Sequence, residues 1–337
     1  NPLFAVHGAA VKQGLGGEPF WLDDAGLRVL FKGLDPNKVI LISHNALFDA
    51  CITAWEYDFV PRMTGDTLGI ARAMLGYKLK SLSLGSVAQH LNVGIKGTTI
   101  HQVQGMTVAD TKANGLWDAY INYAINDVEQ CANIWKELVV HRKFPAKELV
   151  LMDRIIRCAI QPKLQLKASV LHEHLALVRA KKENLMQRIG FAKEDLMSND
   201  KFAAALTTLG VVPPRKTSLT TGKETWAFAK SDPQFVELED HPDPEVQALV
   251  SARLGVKSTL EEKRTERFIA LSQLDYVWSN GKVETRRGLM PIPLRYGGAH
   301  THRLSGEWKL NLQNLPRGGA LRKALVAPLG YKVLAVD

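Results

Sequence analysis

Residues 1 to 145 alternate two kinds of segment, and that alternation limits the fold more than any other feature of the chain. FAVHGAAVK and KVILISHN read as strands; the second is apolar and β-branched, which predicts a buried one. ALFDACITAWEYDF, DTLGIARAMLGY, LSLGSVAQHLNV and the long WDAYINYAINDVEQCANIWKELVVHRKF read as helices. Strands interleaved with helices predict an α/β or α+β domain up to about residue 145. From about residue 147 the strand signals vanish. ELVLMDRIIRCAI, SVLHEHLALVRAKKENLMQRIG and DPEVQALVSARLGVKSTLEEKRTERFIAL are helical in pattern, and VVPPRKTSLTTGKETWAF reads as a polar loop. Residues 281 to 337 return to short strands and turns and run into YKVLAVD, which reads as a strand ending on Asp337.

A chain of 337 residues suggests two or three domains. Its charge is uneven. Residues 1 to 140 hold 11 Lys and Arg against 13 Asp and Glu, leaving 32 against 21 in the remainder. A neutral first part followed by a basic remainder fits a polyanion partner, most often nucleic acid; charge alone fits a soluble basic protein equally well. Cys51, Cys131 and Cys158 are far apart and form no Cys-x-x-Cys or Cys/His cluster, which argues against a disulfide framework or structural zinc and suits a reducing compartment. No apolar run approaches membrane-spanning length and no signal peptide is present, so the expected location is the cytoplasm, without a membrane partner. Asn1 is not an initiator methionine, and residues are expected to precede it.

Two constellations carry chemistry. The strand KVILISHN runs straight into a helix, with Asn45 at the expected N-cap and Asp49 in or near the first turn. On local physics alone, Asn45 caps the helix and Asp49 meets its dipole. Further on, NYAIND places Tyr123 and Asp127 four residues apart, on one side of a helix. Taken together, H-N-A-L-F-D followed about 75 residues later by Y-A-I-N-D resembles the second and third motifs of the DEDD 3′–5′ exonucleases, tyrosine subtype. The resemblance implies a ribonuclease-H-like fold. It also implies that Asp49 and Asp127 are metal ligands, that Tyr123 orients the attacking water, and that Asn45 and Phe48 touch the terminal nucleotide or the pocket wall. Asp66, before Thr67, is read as a helix cap and not as a ligand. The family's first motif, Asp-x-Glu on the first strand, is not in the chain, so two of the four carboxylates are missing.

The second constellation is T-H-R-L-S-G, N-L-Q-N-L-P, L-R-K-A-L-V-A-P and Y-K-V-L-A-V-D, in that order over residues 301 to 337. It resembles the entry to the palm of family A DNA polymerases, the DNA polymerase I type, ending at the first aspartate of motif A. Amide and guanidinium side chains there suit contacts with phosphates and with minor-groove acceptors common to all base pairs. The resemblance implies that Arg303 reaches the minor groove and that Asn311, Gln313 and Asn314 contact the duplex or template. It further implies that Arg295, Arg322 and Lys323 contact phosphates, and that Asp337 binds catalytic magnesium. His302 stands where the family has glycine, which predicts an altered turn. Between the two constellations, P-R-K-T-S-L-T-T-G-K-E-T and G-V-K-S-T-L-E-E resemble thumb segments of the family, implying that Lys216, Thr217, Lys257, Ser258 and Thr259 contact the DNA backbone.

The resemblance divides the chain into an exonuclease-like domain over residues 1 to 145, a helical thumb over 146 to 287 and the start of a palm over 288 to 337. It implies part of a proofreading DNA polymerase, nearest the bacteriophage replicative enzymes and so at work in a bacterial host's cytoplasm. Its cofactors are two Mg²⁺ ions per active site, with Mn²⁺ as a substitute, and its partners are primer-template DNA and deoxynucleoside triphosphates. The rest of the palm and the fingers are expected beyond Asp337, in one piece or on a second polypeptide, as in a split gene rejoined by an intein, and the chain alone is expected to be inactive. A stand-alone exonuclease with a DNA-binding tail and a non-catalytic DNA-binding subunit are the competing readings.

Overall fold

The computed structural model describes residues 4–94, 100–218, 220–257, 260–279, 283–299 and 301–334. The chain divides into two compact units, one of Asn1–Leu164 with Tyr276–Pro316, the other of Gln165–Asp275 with Arg317–Asp337.

The first unit opens with an antiparallel hairpin of β1 (Gly8–Val11) and β2 (Phe20–Asp23), followed by α1 (Asp24–Gly33). Asp23 caps α1 by accepting the Gly26 N–H at 2.8 Å. Then β3 (Ile40–Ser43), α2 (Ala46–Glu56), β4 (Met63–Asp66) and α3 (Thr67–Leu75) follow. β3 and β4 are parallel with Ser43 opposite Asp66, so their carboxyl ends lie together and α2 and α3 start beside one another. Crevices at the carboxyl ends of parallel strands are where α/β folds place their sites.

The helices α4 (Leu84–His90), α5 (Ile100–Val103), α6 (Val108–Ala113), α7 (Trp117–Trp135) and α8 (Ala146–Ile160) enclose the core. Ile70, Leu75, Val87, Ile134, Trp135, Leu138 and Met152 are buried in one cluster, each large aliphatic contributing about 1.5–3 kcal/mol by leaving water. Gly65 on β4 is there because a Cβ would lie 2.4 Å from the Trp135 ring. On the other side α2 presents Ala46, Ala50, Cys51 and Ala54 to Ile156 and Ile160 of α8; the small residues let the helices approach closely. Buried Asp153 ties α8 to β4, accepting the Thr64 N–H at 2.9 Å and Arg157 Nε at 2.7 Å.

In the second unit β5 (Leu164–Leu166) leads into the long α9 (Ala168–Ile189), then α10 (Lys193–Met197) and α11 (Asn199–Thr208). The hairpin of β6 (Arg215–Thr217) and β7 (Glu224–Trp226) precedes α12 (Pro233–Val236), α13 (Pro244–Lys257) and α14 (Leu260–Ser272). Phe202, Leu206, Phe228, Phe235, Leu249 and Val250 form its core. Arg179 and Lys182 on α9 pair with Glu262 and Glu266 on α14 at 2.7–3.1 Å.

The chain returns to the first unit with β8 (Asp275–Ser279), β9 (Val283–Arg287), β10 (Leu289–Met290), β11 (Leu294–Arg295) and β12 (Ser305–Gly306), β11 pairing antiparallel with β12. The last elements, α15 (Ala320–Lys323) and β13 (Leu325–Val326), belong to the second unit, where β13 pairs with β5.

Five sequence expectations change. β3 is only half-buried and Ile40 is exposed, because its one partner strand is β4. The helix expected over 117–144 ends its α form at Trp135; Lys136–His141 form a wider π turn. Strands do recur after residue 147, since β5 to β7 take their stability from pairing rather than from an apolar pattern. The polar loop at 211–228 holds the β6–β7 hairpin, stiffened by Arg215 lying 4.3 Å over the Trp226 ring. The strand expected from YKVLAVD is not formed over 331–334, where Tyr331, Val333 and Leu334 are exposed and irregular; 335–337 lie outside the described residues. No helix among the described residues is long and apolar enough to cross a membrane.

Candidate active site

The site begins at the carboxyl ends of β3 and β4. Asn45 turns the chain from β3 into α2 with φ +74°, a left-handed conformation that asparagine tolerates. Its side chain makes no capping hydrogen bond, contrary to the sequence expectation. Asp66 does that work from across the sheet. Its Oδ1 accepts the N–H groups of Asn45 at 3.0 Å, Ala46 at 3.2 Å and Leu68 at 3.1 Å. The expected role of Asp66 as a cap is therefore met for α3 and extends to α2.

Asp49 sits in the first turn of α2. Burial pushes its carboxyl up to about 6; the Ser43 hydroxyl opposes the rise and the Asp66 charge adds to it. The favourable helix dipole expected at this position is thus outweighed. Phe48, beside it, is 59 % exposed.

Tyr123 and Asp127 lie four residues apart on α7 and are half-buried. Burial drives the Cys131 thiol up to about 12, and Asp49, Asp66 and Asp127 all act on it electrostatically in the same direction. Thr67 and His44 complete the wall. His44 Nε2 lies 2.9 Å from the Leu82 carbonyl, which can only accept, so Nε2 carries the proton; Nδ1 then faces the Thr67 hydroxyl at 2.9 Å. Sequence reasoning missed His44, Thr67 and Cys131 as a group; His44 and Thr67, flanking Asn45 and Asp66, were the available signal.

Carboxylates kept partly out of water suit a hard divalent cation in donor type, although Arg72 shares the cleft with Asp66. Among the described residues, however, no three His, Cys, Asp or Glu side chains converge closely enough to hold a metal by themselves. Asp49 and Asp127 are what this segment offers.

Other expected contacts fall in both units. In the first, a cleft lined by Asn45, Leu47 and Asp66 is closed by Arg72, Arg295, Tyr296 and Glu307. Arg295, expected to contact phosphate, is ion-paired with Glu307 and still partly exposed. Arg72 donates to the Tyr296 carbonyl at 2.8 Å and the Tyr296 hydroxyl to Glu148 at 2.5 Å. Arg303, Gln313 and Asn314 are exposed, while the Asn311 Oδ1 is buried without a hydrogen bond. His302 takes φ +57°, so the turn expected to change keeps a left-handed residue. That costs histidine little more than local strain.

In the second unit, Thr217, Arg322 and Lys323 are exposed. Lys216 is ion-paired with Asp232 at 2.6 Å and acts first as a clamp on its hairpin. Ser258, Thr259, Asp337 and the side chain of Lys257 lie outside the described residues.

Comparison with known proteins gives this arrangement a class. Residues 19–141 match the family model described as 3′–5′ exonuclease, of the DNA polymerase A type. The class to which that segment is similar is therefore a 3′–5′ exonuclease. Among solved structures the chain is similar to the POL domain of Pol1 from M. smegmatis in complex with DNA primer-template and dNTP, at TM-score 0.51 and 16% identity. That likeness, which is one of fold, covers 94% of this chain and 51% of the other, so the chain spans about half the length of that structure. No curated protein matches the chain.

Proposed function

We propose that the chain is part of a template-directed family A DNA polymerase that also proofreads, with Asp49 and Asp127 as metal ligands of the 3′–5′ exonuclease site. The observation that carries the reading is the placement of Asp49 in the first turn of α2 and of Tyr123 and Asp127 one turn apart on α7, within the segment that matches the exonuclease family. Bound Mg²⁺, or Mn²⁺ in its place, would supply Lewis-acid activation of a water and charge stabilisation on the leaving oxygen. The chain's own residues do the rest. Asp66 holds the first turns of α2 and α3 in place, which fixes Asp49. Tyr123 orients the attacking water, and Asn45 and Phe48 hold the terminal nucleotide.

In this reading residues 1 to 145 have the ribonuclease-H-like fold, 146 to 287 are the thumb and 288 to 337 begin the palm. Arg303, Asn311, Gln313 and Asn314 bear on the duplex; Thr217, Lys257, Ser258, Thr259, Arg322 and Lys323 bear on its phosphates. Asp337 would be a ligand of the polymerase metals.

The test is primer-template binding together with primer extension by the purified chain. The reading predicts salt-dependent duplex binding and no extension with Mg²⁺ and deoxynucleoside triphosphates. Salt-insensitive or absent binding, or measurable extension, contradicts it.

A further inference from the structure

One face of α2 has no assigned role. Phe48, Ile52 and Trp55 stand at i, i+4 and i+7 along one side, while Ala46, Ala50, Cys51 and Ala54 are buried on the other. Phe48 is 59 % and Trp55 45 % exposed. The Trp55 indole is fixed, its Nε1 donating to the Ile160 carbonyl at 3.3 Å. Against it, 6.3 Å away and at 61°, stands Trp308, which is 40 % exposed.

Trp308 reaches that position at a cost. It and Lys309 are consecutive left-handed residues at φ +52° and +58°, neither of them glycine. Left-handed backbone strains a residue with a Cβ, and burial does not offset it here, because both side chains are exposed. The preceding residue, Glu307, lines the cleft that holds Asn45 and Asp66. An aromatic surface therefore continues from the carboxylate site, along α2, to the strained turn.

We propose that Trp55 and Trp308 form a stacking track that holds the unpaired 3′ end of a DNA strand behind its terminal nucleotide at Phe48 and Asp49. The inference rests on the exonuclease reading of that site. The span fits: seven helical residues advance about 10 Å, room for about three bases stacked at 3.4 Å. The chemistry fits as well, because indole rings stack on any base and need no sequence. Exposed Lys309 supplies a charge for the accompanying phosphate. An extended peptide would also contact two indoles, but the adjoining exonuclease-family segment and the exposed Lys309 favour a polyanionic strand.

The test is photocrosslinking of the full chain to short oligothymidylates in EDTA, with 5-iodouracil at either the terminal or the third position from the 3′ end. Crosslinked peptides are mapped by mass spectrometry. The terminal label is expected to mark residues around Phe48, and the third-position label Trp55 or Trp308. In parallel, W308A is expected to weaken oligothymidylate binding about tenfold, with W308F close to wild type and blunt-duplex binding unchanged. If the terminal label reaches Phe48 while the third-position label maps elsewhere, the track is wrong and the site stands. If neither label maps to the first unit, the exonuclease reading and the track fail together.

Discussion

The Asp66 carboxylate accepts the backbone N–H of Asn45 at 3.0 Å across the parallel β3–β4 pair. The same oxygen takes the Leu68 N–H, so one side chain serves the first turns of two helices. Removing it in D66A is expected to cost about 2 kcal/mol, from two caps at about 1 kcal/mol each. D66N, which keeps an acceptor oxygen, should lose less than half of that. Urea unfolding of the three proteins checks this; equal stability of wild type and D66A would contradict it.

Asp49 gives a pH dependence with a definite sign. Its folded value is raised from 3.8 to about 6, so between those limits the folded state binds the extra proton. The penalty is fully present above about pH 6 and is relieved as pH falls toward 4. In EDTA, D49N should therefore be more stable than wild type at pH 8, by no more than about 3 kcal/mol. The difference should shrink to nothing near pH 4. Thermal melts across that range read the effect, and a pH-independent difference would show that burial of Asp49 carries no electrostatic cost.

Asp153 is buried with its partners rather than merely paired. D153A would leave the Thr64 N–H without its acceptor and Arg157 without its counter-ion, at a cost of about 3 kcal/mol. D153N, which can still accept from Thr64, should fall between. The midpoint of urea unfolding followed by circular dichroism checks this; equal midpoints for wild type and D153A would contradict it.

Lys216 was expected from sequence to touch DNA, yet it holds both Asp232 oxygens, at 2.6 and 2.8 Å. Asp232 also accepts the Ala229 N–H at 2.7 Å, so the pair pins the β6–β7 hairpin to the turn that follows. A double-mutant cycle of K216M and D232N is expected to show coupling of about 1 kcal/mol, discounted for the exposure of the lysine. K216M should weaken duplex binding less than the K323M substitution on α15. The opposite ranking would show that Lys216 contacts the duplex directly.

How much was legible follows from where each signal is encoded. Asp49 and Asp127 could be placed because a strand that breaks into a helix, and a Tyr and Asp one helical turn apart, are local patterns. The cap on α2 could not be found, because its acceptor lies 21 residues away on a neighbouring strand. The β6–β7 hairpin was missed for a related reason. Arg-Lys-Thr and Glu-Thr-Trp carry no alternating apolar face, and their pairing is held by Arg215 over Trp226 and by Lys216 with Asp232. YKVLAVD failed in the other direction: its residues suit a strand, but a strand is a property of two segments, and 331–334 are irregular.

The central claim is that Asp49 and Asp127 together attract a divalent cation. The most direct measurement is Mn²⁺ binding to the full chain by electron paramagnetic resonance, for wild type, D49N and D127N, with folding checked by circular dichroism. The account predicts saturable binding in wild type that is lost in both variants. Binding unchanged in either variant, or absent in all three proteins, would contradict it.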